Sequence, residues 1–182
     1  MLVLIFIAGG YDPNRIIEMD WNEEVQFGNI KINTTPARHF SGRTFKRNTS
    51  LWLSMIITTS NKKIFIGGDS GYDTHFKTIG EKFGPFDLVI LENGQYNPYW
   101  KFIHMMPEEV VQAVLDLRAK NLLPIHWGKF SLSLHAWDEP ITRVVNEARR
   151  KEVNVLHPMI GEPVYLDREN SFSEWWKIGT TV

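Results

Sequence analysis

Residues 63–91, KIFIGGDSGYDTHFKTIGEKFGPFDLVIL, decide how this chain is read. A short apolar run stops at a glycine-rich corner. A segment with Phe76, Ile79 and Phe83 at helical spacing follows, Gly84-Pro85 closes it, and a second apolar run, FDLVIL, begins. Asp73 stands where a helix cap is expected. Strand, helix and strand in this order form the unit that joins two parallel strands through a crossover helix.

Working outward, residues 51–58 (LWLSMIIT) and 63–67 flank a polar connection and predict a β-hairpin. On the other side, a long loop at 92–106, rich in Asn, Tyr and Trp, leads to Pro107, Glu108 and Glu109. These open a second helix, whose positive end the two acids suit, and Val110, Val111, Val114 and Leu117 share one of its faces. Residues 122–126 read as a strand. Asp138-Glu139-Pro140 starts a third helix with Ile141, Val144, Val145 and Ala148 facing inward, and strands are expected at 153–156 and 164–166. The order predicts an α/β fold, a mixed sheet flanked by helices and connected by right-handed crossovers.

The N-terminal run MLVLIFIAGG has no basic leader, no small-residue cleavage site and too few residues to span a bilayer. It reads as a buried strand. With no turn or cap before it, the chain is expected to begin in the middle of a fold. The 182 residues suit one compact domain or a large piece of one. A net charge of −1 argues against a nucleic-acid or anionic-membrane surface. Without cysteine, any metal must be held by His, Asp or Glu, ligands that suit zinc, manganese or iron. A cytoplasmic location is the default expectation.

In open α/β sheets ligands collect beyond the carboxyl ends of the strands. Asp69 (IFIGGDSGY), the loop after Leu91, His126 (LLPIHWGKF) and the His157-Pro158 corner fall at that edge, and His39 sits in a further corner, TTPARHFSGR. Singly, each has an ordinary reading: a histidine after a strand is commonly a hydrogen-bonded loop residue, and an aspartate in a turn bonds the next backbone amides. Together, His39, Asp69 and His126 resemble part of a divalent-metal site. The string Gly68-Asp69-Ser70-Gly71 also resembles a chymotrypsin-like nucleophile segment, but those enzymes are antiparallel barrels and this segment lies between a strand and a helix. There is no P-loop and no dinucleotide G-x-G-x-x-G.

Five ordered motifs, TTPARHFSGR, IFIGGDSGY, KFGPFDLVILENGQY, HMMPEEVVQA and PIHWGKFSL, resemble the C-terminal half of the metallo-β-lactamase fold. The branch they are most similar to contains N-acylphosphatidylethanolamine-hydrolysing phospholipase D, with ascorbate-6-phosphate lactonase-like proteins nearby. The resemblance runs from about Gly10 to Asp167. It implies half of an αββα sandwich with a dinuclear centre at one edge. His39 and His126 would each bind one metal and Asp69 would bridge both, while His104 would contact the scissile group or substrate. The loop 96–100, with Trp127 and Phe130, is implied as a pocket wall, although aromatic packing under a long loop explains it equally. Two metals would activate a water and polarise a phosphoryl or carbonyl oxygen, giving a zinc (or manganese or iron) hydrolase of phosphodiester, ester or lactone bonds.

One departure from the family pattern stands out. None of the six histidines, at 39, 75, 104, 126, 135 and 157, lies in an H-x-H-x-D-H cluster, which supplies two ligands to each metal in that family. Catalytic zinc sites keep three protein ligands, so the chain alone is expected to bind metal weakly or not at all and to hydrolyse little. Residues 1–182 are thus expected to form one partial domain lacking the H-x-H-x-D-H half. An uncovered sheet face would favour a homo-oligomer or docking of a separate N-terminal half. Two functions follow: a hydrolase of small-molecule or phospholipid-like substrates, completed from outside, or an inactive remnant with a structural role.

Overall fold

The computed structural model describes residues 9–42, 47–130 and 132–177. The strand expected at residues 1–8 lies outside them. Among the described residues one seven-stranded sheet runs in chain order: β1 (Glu24–Phe27), β2 (Ile30–Pro36), β3 (Leu53–Thr58), β4 (Lys63–Ile66), β5 (Leu88–Glu92), β6 (Asn121–Ile125) and β7 (Asn154–Val155). Strands β1 to β4 pair antiparallel and β4 to β7 parallel. Helices α1 (His75–Phe83), α2 (Pro107–Asp116) and α3 (Glu139–Arg150) make the three crossovers of the parallel part. The α/β class and its mixed, helix-flanked sheet are as the sequence implied.

Side chains alternate across a strand, and the register turns that alternation into rows. On one face Asn33, Ile56, Phe65, Val89, Leu122 and Val155 lie opposite one another in succession. All three helices close on this face, through Phe76 and Ile79 of α1, Val110, Val111 and Val114 of α2, and Val144 and Ala148 of α3. Phe65, Val89 and Leu122 retain no exposure. Each such side chain contributes roughly 1.5–3 kcal/mol by leaving water. The other face carries Ile32, Ile57, Ile64 and Leu88 in the next row.

Four differences from the expected elements have local causes. The hairpin β1–β2, joined at Gly28-Asn29, was not anticipated, because its strand EVQF is short, polar and at the sheet edge. Helix α1 begins at His75 without a side-chain cap. The Asp73 carboxylate is taken by Arg38 (2.9 Å) and by the amide of Thr74 (2.7 Å). No strand forms at 164–166, where the Asn170 side chain holds both the amide and the carbonyl of Tyr165. The strand expected at 153–156 shortens to Asn154–Val155.

Candidate metal centre

The site is assembled where β2, β4, β5 and β6 end. The amide of Arg38 donates to Ser70 Oγ (2.9 Å) and the amide of Gly71 to the Arg38 carbonyl (2.8 Å), so the corners bearing His39 and Asp69 are stitched together. Ser70 is 1 % exposed, with its hydroxyl held by the Arg38 amide, the Gly71 carbonyl and His75 Nε2 (3.3 Å), so it is closed to a substrate and serves to join the two corners. The backbone amide of Asn93 donates to the Ile125 carbonyl (2.8 Å), and a Cβ on Gly94 would lie 2.3 Å from the His126 carbonyl oxygen. Only glycine lets the β5 and β6 ends approach so closely. His126 itself is held at φ 68°, a left-handed conformation uncommon for a residue with a side chain and often found at functional sites.

His126 Nε2 lies 3.7 Å from Asp69 Oδ1, and both side chains are partly open to solvent. The His104 ring lies between two others, 5.5 Å from His126 in a stacked arrangement and 5.4 Å from His39 edge-on. His39 turns Nδ1 to the Phe40 carbonyl (2.8 Å). The expected residues therefore share one edge. Even so, the side chains whose donor atoms all lie within 4.8 Å of one another are Glu92, His104 and His126, a grouping without His39 and Asp69.

Glu92 is the residue that the sequence reading missed. It ends β5 with no exposure, accepts the Met105 amide at Oε1 (2.6 Å), and turns Oε2 toward His104 Nδ1 and the Gly94 amide, both at 3.4 Å. Burying a carboxylate is costly unless it is paired, so an acid closing the apolar run LVIL was a readable signal. Burial pushes the Glu92 carboxyl up, against the opposing pull of His104 and of the Met105 and Gly94 amides. Burial also pulls the His104 imidazolium down. The hydrogen bond and charge of Glu92, with Asp69 beyond, outweigh it and raise the His104 pKa.

Beside His126 a cavity of about 290 Å³ is lined by Gln95, Trp127, Lys129, Phe130 and Leu132. Trp127 and Phe130 thus line a pocket as the resemblance implied. Tyr96 does not. It is 5 % exposed, stacks on His135 and donates to Glu139 (2.6 Å), and Tyr99 projects outward at 92 % exposure. His157 lies apart from the metal donors, edge-on to Trp176.

Three imidazoles and two carboxylates lie together at this edge, outside the carboxyl ends of the parallel strands of an α/β domain, a donor set that suits a divalent metal. A family profile described as beta-lactamase superfamily domain matches residues 3–127, and the chain belongs to the metallo-β-lactamase superfamily. Its branch is the one resembling N-acyl-phosphatidylethanolamine-hydrolysing phospholipase D. The enzyme of that name, numbered 1, from Caenorhabditis elegans is 36% identical over 132 residues, covering 68% of this chain and 37% of the relative. An uncharacterized protein of Mycobacterium tuberculosis is 41% identical over 172 residues, 93% of this chain and 46% of its own length. A Klebsiella pneumoniae protein named outer membrane protein RomA is 56% identical over 100 residues, 55% of this chain and 76% of that protein. The chain spans about half the length of the Mycobacterium relative. The solved structure of Igni18, a metallo hydrolase of Ignicoccus hospitalis, shares the fold with a TM-score of 0.62 at 17% identity, over 85% of this chain and 61% of that one. Among the described residues, no helix is long and apolar enough to cross a membrane.

Proposed function

We propose that this chain carries the metal-binding edge of a hydrolase of phosphodiester, ester or lactone bonds. His39, Asp69 and His126 would serve as metal ligands, with Asp69 and His104 in the catalytic machinery. The observation that supports it most is the convergence of these four side chains on one sheet edge, with Asp69 and His126 at 3.7 Å. All donors are imidazole nitrogen or carboxylate oxygen, the set that suits zinc first and manganese or iron as alternatives. When bound, the metal supplies Lewis acidity and a water acidic enough to ionise near neutral pH.

The chain's own residues supply placement. One Asp69 oxygen faces His126, which leaves the second for another ion. His104, pinned from behind by Glu92, presents its ring between His39 and His126, where a scissile group would lie. The cavity beside His126 offers an apolar wall and the Lys129 ammonium, suited to a small phosphate ester or a phospholipid-like substrate. Hydrolysis would further need an H-x-H-x-D-H half, from a longer chain or a second polypeptide. The aliphatic sheet face would be covered by that half or by a second copy of this chain, in the cytoplasm. A clean monomer in light scattering would count against the second copy.

The test is a screen of lactones, carboxylic esters and phosphodiesters with zinc, manganese and iron. It uses this chain alone and fused behind the N-terminal half of its Mycobacterium relative. Hydrolysis by the fusion that is lost in Asp69→Asn is expected. No turnover of any class by a folded, metal-loaded fusion would favour the inactive structural reading.

A further inference from the structure

The segment that follows β6 turns its polarity inside out. Phe130, Leu132 and Leu134 stand 69 %, 77 % and 94 % exposed, while the polar side chains between and beside them point inward. Ser133 donates its hydroxyl to the Tyr96 carbonyl (2.5 Å), and the His135 ring stacks on Tyr96. The arrangement is held by one buried side chain. Gln95 Oε1 accepts the amides of Leu132 (2.6 Å) and Ser133 (2.9 Å), and its Nε2 donates to the Phe130 carbonyl (2.6 Å). Three large apolar groups are thereby fixed in water, at a cost that calls for something to cover them.

The loop after β5, which Gln95 and Tyr96 join to this segment, adds Tyr99, Trp100 and Phe102, each exposed. Residues 95–104 and 126–137 together hold Lys101 and Lys129 and no acidic residue, so the chain's net charge of −1 comes from elsewhere. Each lysine reaches the phenylalanine beside it, with the ammonium 5.1 Å from the Phe102 ring and 5.3 Å from the Phe130 ring.

We infer that this rim seats the chain on the interface of a phospholipid bilayer. Phe130, Leu132 and Leu134 enter the acyl boundary, Tyr99 and Trp100 lie at headgroup depth, and Lys101 and Lys129 meet the phosphates. The composition separates this surface from a protein-binding one. The buried centre of a protein interface is depleted in lysine, whereas membrane interfaces gather tryptophan, tyrosine and lysine, whose apolar stems lie in lipid while the charge stays in water. The aliphatic row Ile32, Ile57 and Ile64 on the open sheet face has no such cations among it. The contact is peripheral, since no helix among the described residues is long and apolar enough to cross a membrane. The inference goes beyond the hydrolase reading, because it uses no metal donor and no turnover.

The experiment is flotation of the purified chain with phosphatidylcholine vesicles, with and without phosphatidylglycerol. Wild type is compared with the triple variant Phe130→Ser, Leu132→Ser, Leu134→Ser and with Lys101→Gln, Lys129→Gln, each checked for folding by circular dichroism. Wild type is expected to float with both vesicles and more strongly with the anionic ones. The triple variant, which alters only exposed side chains, should lose more than about tenfold in partitioning to either. The lysine variant should lose about fivefold per lysine on anionic vesicles and little on neutral ones. Brominated phosphatidylcholine should quench tryptophan fluorescence of wild type and not of the triple variant. Failure of wild type to bind either vesicle would overturn the inference, as would undiminished flotation of the folded triple variant. Wild type that ignores vesicles but self-associates, with association lost in the triple variant, would overturn it in favour of a contact between copies of this chain.

Discussion

The two faces of the one sheet differ more than any two of its strands. Phe65 and Ile64 are neighbours in β4, yet Phe65 is sealed under the helices while Ile64, like Ile32 and Ile57 in its row, is only half-buried. On that second face Met55 and Ile125 are 37 % and 39 % exposed, and Ile57, Ile66 and Ile90 are half-buried. No polar alternation compensates. A sheet that faces water on one side normally places polar residues there, so this face has the composition of a core. The candidate metal edge is built where the parallel strands end, from corners joined to one another by hydrogen bonds of Arg38 with Ser70 and Gly71 and of the Asn93 backbone amide with Ile125.

The largest expected effect sets the two faces directly against each other. Phe65→Ala should lower unfolding free energy by about 3–5 kcal/mol in urea denaturation, as for other buried aromatics. Ile64→Ala should cost only about 1 kcal/mol, because less of its surface leaves water. Equal losses would mean that the second face is as closely packed as the first.

Acid should weaken the covered face through α1. Burial holds the His75 imidazole down to about 4, so folding favours its neutral form. With a folded pKa below the ordinary 6.5, that contribution is complete above pH 6.5 and fades as the pH falls toward 4. About 2 kcal/mol, allowing for partial solvent screening, should be lost over that window. His75→Gln should flatten the acid limb of thermal unfolding; an unchanged limb would place the sensitivity elsewhere.

The smallest effect concerns the loop that leads from the metal edge across α3. Tyr96 donates to Glu139, which also pairs with Arg143. Tyr96→Phe should cost about 1 kcal/mol and leave zinc affinity unchanged, because this hydrogen bond anchors the loop to α3 and touches no metal donor. A change in zinc affinity would show that the loop also supports the metal edge.

What could be read from the sequence follows from the same contrast. The parallel half was legible because LVIL and LLPI are short apolar runs of strand length, and because acids and prolines mark the starts of α2 and α3. The β1–β2 hairpin was passed over, since EVQF carries little apolar signal, although Gly28-Asn29 between alternating residues is a recognised turn. His39, Asp69 and His126 stood out as polar residues at corners, and His104 entered only through the family resemblance. Glu92 did not, because its meaning depends on His104, twelve positions further along a loop with no periodicity. Nor does spacing reveal that Oε1 of Glu92 would be fastened by the Met105 amide.

The central claim is that the carboxyl edge of the parallel strands is a metal site. Diffraction at the zinc absorption edge, from crystals of this chain grown with zinc, tests it most directly. The account predicts an anomalous peak within bonding distance of His126 and Asp69. A peak elsewhere, or none in crystals that diffract well enough to show the histidine rings, would contradict it.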